Sequence, residues 1–222
     1  MKKAFIYCLA ISLALTSCTS NESEESIKKE NLLKSYSIQK GEDGVYSIQF
    51  NTTNNAEVTK VKNIDNSKDF LLTESNQKSK TKYSNDFSIE NDELKIGFLD
   101  FNQNKTTKIF VEDDNITLAN KGVTEFLSSY SVAKNSDGTY QLDFSVNDNV
   151  SVDFLYNEEI ETYEVHLANG TSVGKDFSRA LTMNQNVLRL DFVNHKYASK
   201  SGVETKPRKP RTIIVDIVGS IH

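Results

Sequence analysis

The sequence predicts an all-β protein made of two tandem, antiparallel, sandwich-like repeats. Three observations lead there. Apolar and polar residues alternate along many short runs, turn-forming residues separate those runs, and one pattern of both recurs 94 positions later.

The alternation is clearest at Tyr46, Ile48 and Phe50, which flank Ser47 and Gln49, and at Tyr140, Leu142 and Phe144, which flank Gln141 and Asp143. A period of two sends one set of side chains into a core and the other into water. Val150, Val152, Phe154 and Tyr156 alternate likewise, as do Leu94, Ile96 and Phe98, and Leu188, Leu190 and Phe192. Between them stand Asp43-Gly44, Asn91-Asp92, Asp137-Gly138 and Asn169-Gly170. Such pairs close hairpins because they tolerate positive φ. No long amphipathic helix is apparent, and Ser67 to Tyr83 reads as a short helix or a loop.

The repeat is seen by setting Ser35-Tyr36-Ser37-Ile38 on Ser129-Tyr130-Ser131-Val132, a shift of 94 positions (35 to 129). The same shift carries Lys40 to Lys134, Tyr46 to Tyr140, Phe50 to Phe144 and Phe98 to Phe192. A fixed period of matched apolar and turn positions is the signature of duplication. The last strand requires a larger shift: Val111 aligns best with Val215, at 104 positions, which puts about ten extra residues in the preceding loop of the second unit. Each unit then holds six or seven strands, the number of an immunoglobulin-like sandwich or a small barrel. The expected layout is a first repeat over 31–114, a polar linker over 115–124 and a second repeat over 125–222.

The start of the chain is of another kind. Lys2 and Lys3 precede an apolar run from Ala4 to Ala14, and small residues follow. That is a secretory signal, and the run is too short for a permanent membrane span. The residues Leu15-Thr16-Ser17-Cys18 resemble the lipobox of bacterial lipoproteins. The resemblance implies removal of residues 1–17 and lipidation of Cys18, which fixes the protein to a membrane through its acyl chains. Residues 18–30 are polar and acidic and read as a flexible tether. Thr19 is not Asp, and Glu22, Glu24 and Glu25 resemble the surface-export signal of lipoproteins in some Gram-negative bacteria. The expected address is the outer membrane, facing the cell surface, with the periplasmic face as the alternative.

Composition narrows the function. The 222 residues carry 26 Lys and Arg against 31 Asp and Glu, a net charge of −5. Such a balance gives no support to nucleic-acid binding. The two cysteines are Cys8, inside the signal, and Cys18. The folded part is therefore expected to lack disulfides, thiolate metal sites and cysteine nucleophiles. No Gly-x-Ser-x-Gly elbow and no Gly-rich phosphate loop occurs.

His166 and His195 fall on polar strand registers. The first repeat has no matching histidine, so they read as unrelated surface residues rather than metal ligands. Glu158-Glu159 and Asp113-Asp114 read as solvated loop carboxylates. Tyr36 and Tyr130, equivalent across the repeat, read as core. Neither catalytic residues nor a cofactor are expected.

One stretch stands apart. Lys206, Arg208, Lys209 and Arg211 cluster near the end of an insertion at 196–211, with Pro207 and Pro210 among them. A local basic run in an acidic protein suits an anionic glycan or an acidic protein face. The expected function is thus a lipid-anchored, non-catalytic binding or adhesion module for a protein or glycan. The alternatives are a periplasm-facing accessory subunit of an outer-membrane complex and, less favoured, an envelope hydrolase.

Overall fold

A computed structural model describes residues 29–113, 126–171, 174–195 and 210–219. Cys18, Lys206, Arg208 and Lys209 lie outside these segments. All regular secondary structure among the described residues is strand, in fourteen elements. The first repeat holds β1 (Leu33–Lys40), β2 (Tyr46–Thr52), β3 (Ala56–Lys62), β4 (Lys68–Glu74), β5 (Lys82–Phe87), β6 (Glu93–Asp100) and β7 (Lys105–Asp113). The second holds β8 (Leu127–Lys134), β9 (Tyr140–Val146), β10 (Val150–Asn157), β11 (Thr162–Asn169), β12 (Asp176–Leu181), β13 (Val187–Asn194) and β14 (Pro210–Val218). The stretch from Ser67 to Tyr83, expected as a helix or loop, instead forms β4 and the start of β5, with a loop only over 75–81. Phe70 and Leu72 of β4 are buried two apart, as a strand requires.

The strands form two facing sheets of six and eight strands, and both sheets run through both repeats. Their orders are β12-β9-β8-β1-β2-β5 and β10-β11-β13-β14-β7-β6-β4-β3. Each order reads the same from either end once equivalent strands are matched, which is the mark of a two-fold axis between the repeats. In the six-stranded sheet the axis passes through the pair Ile38↔Val132, with Tyr36↔Lys134 and Lys40↔Tyr130 on either side. In the eight-stranded sheet it passes through Phe110↔Ile213. The strands that would edge each repeat alone, β1 and β7, are thereby covered by their own counterparts, β8 and β14. Exposed edges invite aggregation, and this pairing removes two of them per repeat.

Two expectations are corrected. The sheets are antiparallel except for β4–β6 and β11–β13, which pair in parallel. Between each such pair the chain crosses to the other sheet to form β5 or β12, so β6 and β13 arrive from the opposite end. The shift of the last strand is 103, not 104. Leu94 pairs with Val111 and Leu188 with Ile214, and 214 − 111 = 103. A one-residue slip in a strand moves every side chain to the other face. At 103, buried Ile109, Val111 and Asp113 fall on buried Thr212, Ile214 and Asp216. The second repeat therefore carries nine more residues before its last strand (103 − 94 = 9).

Finer features also recur. A register shift marks β1 between Leu33 and Ser35, and β8 between Leu127 and Ser129. Asn91 and Asp92 have φ of 55° and 62°, and Gln185 and Asn186 have 46° and 65°. Two successive positive φ values make the tight hairpin turn that matches strand twist. Gly44 and Gly138 sit at φ 76° and 87° in the Asp-Gly turns. The Asp43 and Asp137 carboxylates accept the N–H of Val45 and Thr139 there.

The core lies between the sheets and is rich in rings. Phe50 stacks on Tyr83 and meets Phe98 edge-on, while Phe144 stacks on Phe177 and meets Phe192 edge-on. Such pairs add about 0.5–1.5 kcal/mol each beyond burial alone. Tyr36 and Tyr130 are core residues, as their register predicts.

Candidate functional site

The two repeats are most alike in the core and least alike on the outer face of the eight-stranded sheet. Register identifies the equivalent positions on that face. In the first repeat Gly97 of β6 lies between Asp69 of β4 and Lys108 of β7. In the second, Asp191 of β13 lies between Glu164 of β11 and Arg211 of β14. Leu71 likewise corresponds to His166, and Phe101 to His195.

In the first repeat this face forms a groove of about 500 Å³. Its floor is apolar, with Leu71, Leu99 and Phe110. One wall is the β3–β4 turn, whose Asn63 and Ser67 donate hydrogen bonds to the two oxygens of Asp69. The turn is itself held by Asn63 N–H to the Ser67 carbonyl and by Ser67 N–H to the Asp65 carboxylate. The Ser67 N–H holds the Asp65 carboxyl below its usual value. Lys95 and Lys108 line the groove as well. Gly97 makes room for this arrangement: a Cβ there would stand 2.5 Å from an oxygen of Asp69. The carboxylate thus rests directly on the backbone of the neighbouring strand, where any side chain would push it away.

In the second repeat charged groups take the corresponding place. Arg211 Nε donates to Asp191 Oδ1 at 2.8 Å, and its Nη1 lies 3.6 Å from Glu112. Asp191 is almost fully buried under this contact. Its hydrogen bond raises the pKa of the guanidinium further. Arg211, expected to serve a partner with Lys206, Arg208 and Lys209, is thus engaged within the sheet.

Beside it the two histidines meet. His166 Nδ1 lies 2.7 Å from His195 Nε2, and His166 Nε2 lies 2.7 Å from Glu164 Oε2. The ring centres are 4.9 Å apart with planes 18° from parallel. With so short an N···N contact, the nitrogens lie close to the line between the ring centres. The rings therefore meet edge to edge rather than face to face. The reading of these histidines as unrelated is overturned. They are 29 residues apart, and the parallel pairing His166↔Val193 brings His195 alongside. Only that pairing, invisible in the alternation of either strand, joins them.

A third feature lies between the sheets. Asp113, expected as a solvated loop carboxylate, is the last residue of β7 and fully buried. Lys40 Nζ lies 2.9 Å from its Oδ2, and Tyr46 donates its hydroxyl to the same oxygen at 2.6 Å. The second repeat builds the same cluster from Lys134, Asp216 and Tyr140, at 2.8 and 3.2 Å, with Lys105 of the first repeat added at 3.0 Å. Burial raises the Asp216 carboxyl, but Lys134, Thr107 and Lys105 together outweigh it and hold the group below its usual value. Burial lowers Lys134 despite Asp216. Burial also drives the hydroxyls of Tyr46, Tyr130 and Tyr140 far above the ordinary phenol value. These are charge pairs formed between the sheets, and they clamp the sheets together rather than face a ligand.

No family model matches the chain, and neither the curated proteins nor the solved structures contain a match.

Proposed function

We propose that this protein is a lipid-anchored, non-catalytic binding module of the bacterial cell envelope, and that the groove on the first repeat takes a glycan. The groove carries the reading. Sugars present hydroxyls around a ring with apolar C–H faces, so their sites pair fixed polar groups with an apolar surface. Asp69, held by Asn63 and Ser67, offers acceptors beside an apolar floor of Leu71, Leu99 and Phe110. Lys95 and Lys108 suit an acidic sugar. The anchor is Cys18, within a lipobox-like Leu15-Thr16-Ser17-Cys18, and residues 18–30 are its tether. The basic run of Lys206, Arg208 and Lys209, without the engaged Arg211, is a second, electrostatic contribution to holding an anionic partner, and its effect falls with salt.

A glycan array probed with the mature chain tests the groove. Wild type is expected to retain a defined set of glycans, and Asp69→Asn and Phe110→Ala to lose them by more than tenfold. Equal retention by both variants contradicts the reading. Protease shaving of intact cells tests the address: digestion supports surface display. Protection until lysis favours the periplasm-facing accessory subunit. A Cys18→Ala chain is expected to leave the membrane fraction.

A further inference from the structure

We propose that His166 and His195 form a metal site, ligating one divalent transition ion of the copper, nickel or zinc group, with Glu164 orienting His166 from behind. The site lies in the second repeat, apart from the groove, and stands whether or not the groove binds a glycan.

The hydrogen bonds fix which nitrogens are free to ligate. The Glu164 carboxylate can only accept, so His166 Nε2 carries a proton and donates it. His166 Nδ1 is then unprotonated, and its lone pair points along the ring plane at His195 Nε2. A carboxylate on one ring nitrogen with the opposite lone pair aimed outward is how ligating histidines are held. With no ion bound, the His195 Nε2 proton fills the gap between the rings. When an ion binds, that proton leaves Nε2 and one is taken up at His195 Nδ1. Both lone pairs then converge on the metal with no net loss of protons.

The spacing requires a small movement. Ligand distances of about 2.0–2.1 Å place two nitrogens of a tetrahedral ion roughly 3.3 Å apart. The rings must therefore separate by about half an ångström and tilt toward a shared point. His195 is exposed and follows the end of β13, so its ring is free to swing. Asp153 pairs with His166 across β10 and β11 and faces the same side. Among the described residues no three such side chains already surround one point. The site is thus a two-nitrogen chelate completed by water, and imidazole donors favour copper over nickel and zinc.

The first repeat supports a functional rather than a structural origin. At the same places it carries Asp69, Leu71 and Phe101 in the same fold. The sandwich therefore does not need imidazoles here.

The test uses the untagged mature chain freed of metal with a chelator. Zinc is titrated calorimetrically, and copper(II) binding is followed by electron paramagnetic resonance for nitrogen couplings. One saturable site with two coupled nitrogens is expected. Glu164→Gln is expected to weaken binding by about 10- to 100-fold. The double variant His166→Leu/His195→Phe, which installs the first repeat's own residues, is expected to abolish the site while keeping the wild-type far-ultraviolet dichroism. Wild-type affinity in the double variant, for instance through His222, would overturn the site. So would the absence of saturable binding to the wild type. Unchanged affinity in Glu164→Gln would overturn the carboxylate's orienting role.

Discussion

The two repeats share an interior and differ on one face. Tyr36, Phe50, Phe98 and Ile109 of the first are matched in place by Tyr130, Phe144, Phe192 and Thr212 of the second. The Lys–Asp–Tyr cluster between the sheets is likewise built twice. On the outer face of the eight-stranded sheet the same positions hold a glycine and an apolar floor in one repeat and an ionic and imidazole network in the other. Duplication gave two copies of a scaffold, and the pairing of β1 with β8 and β7 with β14 made them one body. The inner positions are constrained by packing across both copies. The outer positions answer only to solvent and ligands, and there the copies have diverged.

The largest expected effect separates the two clusters. Asp113→Ala strands Lys40, which is 3% exposed, without its carboxylate, and is expected to cost about 3–5 kcal/mol in urea denaturation. Asp216→Ala should cost clearly less, because Lys134 and Lys105 are 13% and 21% exposed and can turn to water. Equal losses would show that the clusters are not graded by burial.

The same cluster sets a pH dependence. The Asp216 carboxyl is depressed in the folded state, so its contribution is full above the unfolded value of 3.8 and is lost as pH falls through the folded value. Wild type should lose stability in acid below that point, and Asp216→Asn should show a shallower loss over the same range.

A smaller difference lies between the paired tyrosines. Tyr130 shares a hydrogen bond of 2.8 Å with Thr212, whereas the Tyr36 hydroxyl has no partner of normal geometry among the described residues, though Tyr140 and Asp216 are its neighbours. Tyr130→Phe should cost about 1 kcal/mol and Tyr36→Phe nothing, or should stabilise. The smallest effect on stability is expected from Gly97→Ala. The added methyl displaces the Asp69 carboxylate at the surface, so urea midpoints should barely move while glycan retention falls.

Much of the fold was legible because strands write their burial into alternate residues. The turns at Asp43-Gly44 and Asn91-Asp92 were legible because few residues accept positive φ. The repeat also told that Tyr36 and Tyr130 are core. What alternation does not encode is which strand lies beside which. The continuity of both sheets, the parallel pairs and the meeting of His166 with His195 all depend on that neighbour order. The β4 strand was missed because its run, Lys68-Asp69-Phe70-Leu71-Leu72, places an apolar Leu71 on the outer face as well as Phe70 and Leu72 on the inner one. That break in alternation is the floor of the groove, so the irregular position lies in the proposed site. Asp113 was misread because a carboxylate next to Asp114 resembles a loop. The clue was Lys40 and Lys134, repeated on the buried register of strands where a lysine requires a buried partner.

The claim that the repeats are one body is tested most directly by hydrogen exchange across a urea series, read separately on peptides from β1–β7 and β8–β14. The shared sheets predict one transition, with the amides of Ile38 and Val132, and of Ile109 and Ile214, losing protection at the same midpoint. Two separate midpoints, with one repeat still protected after the other has opened, would contradict it.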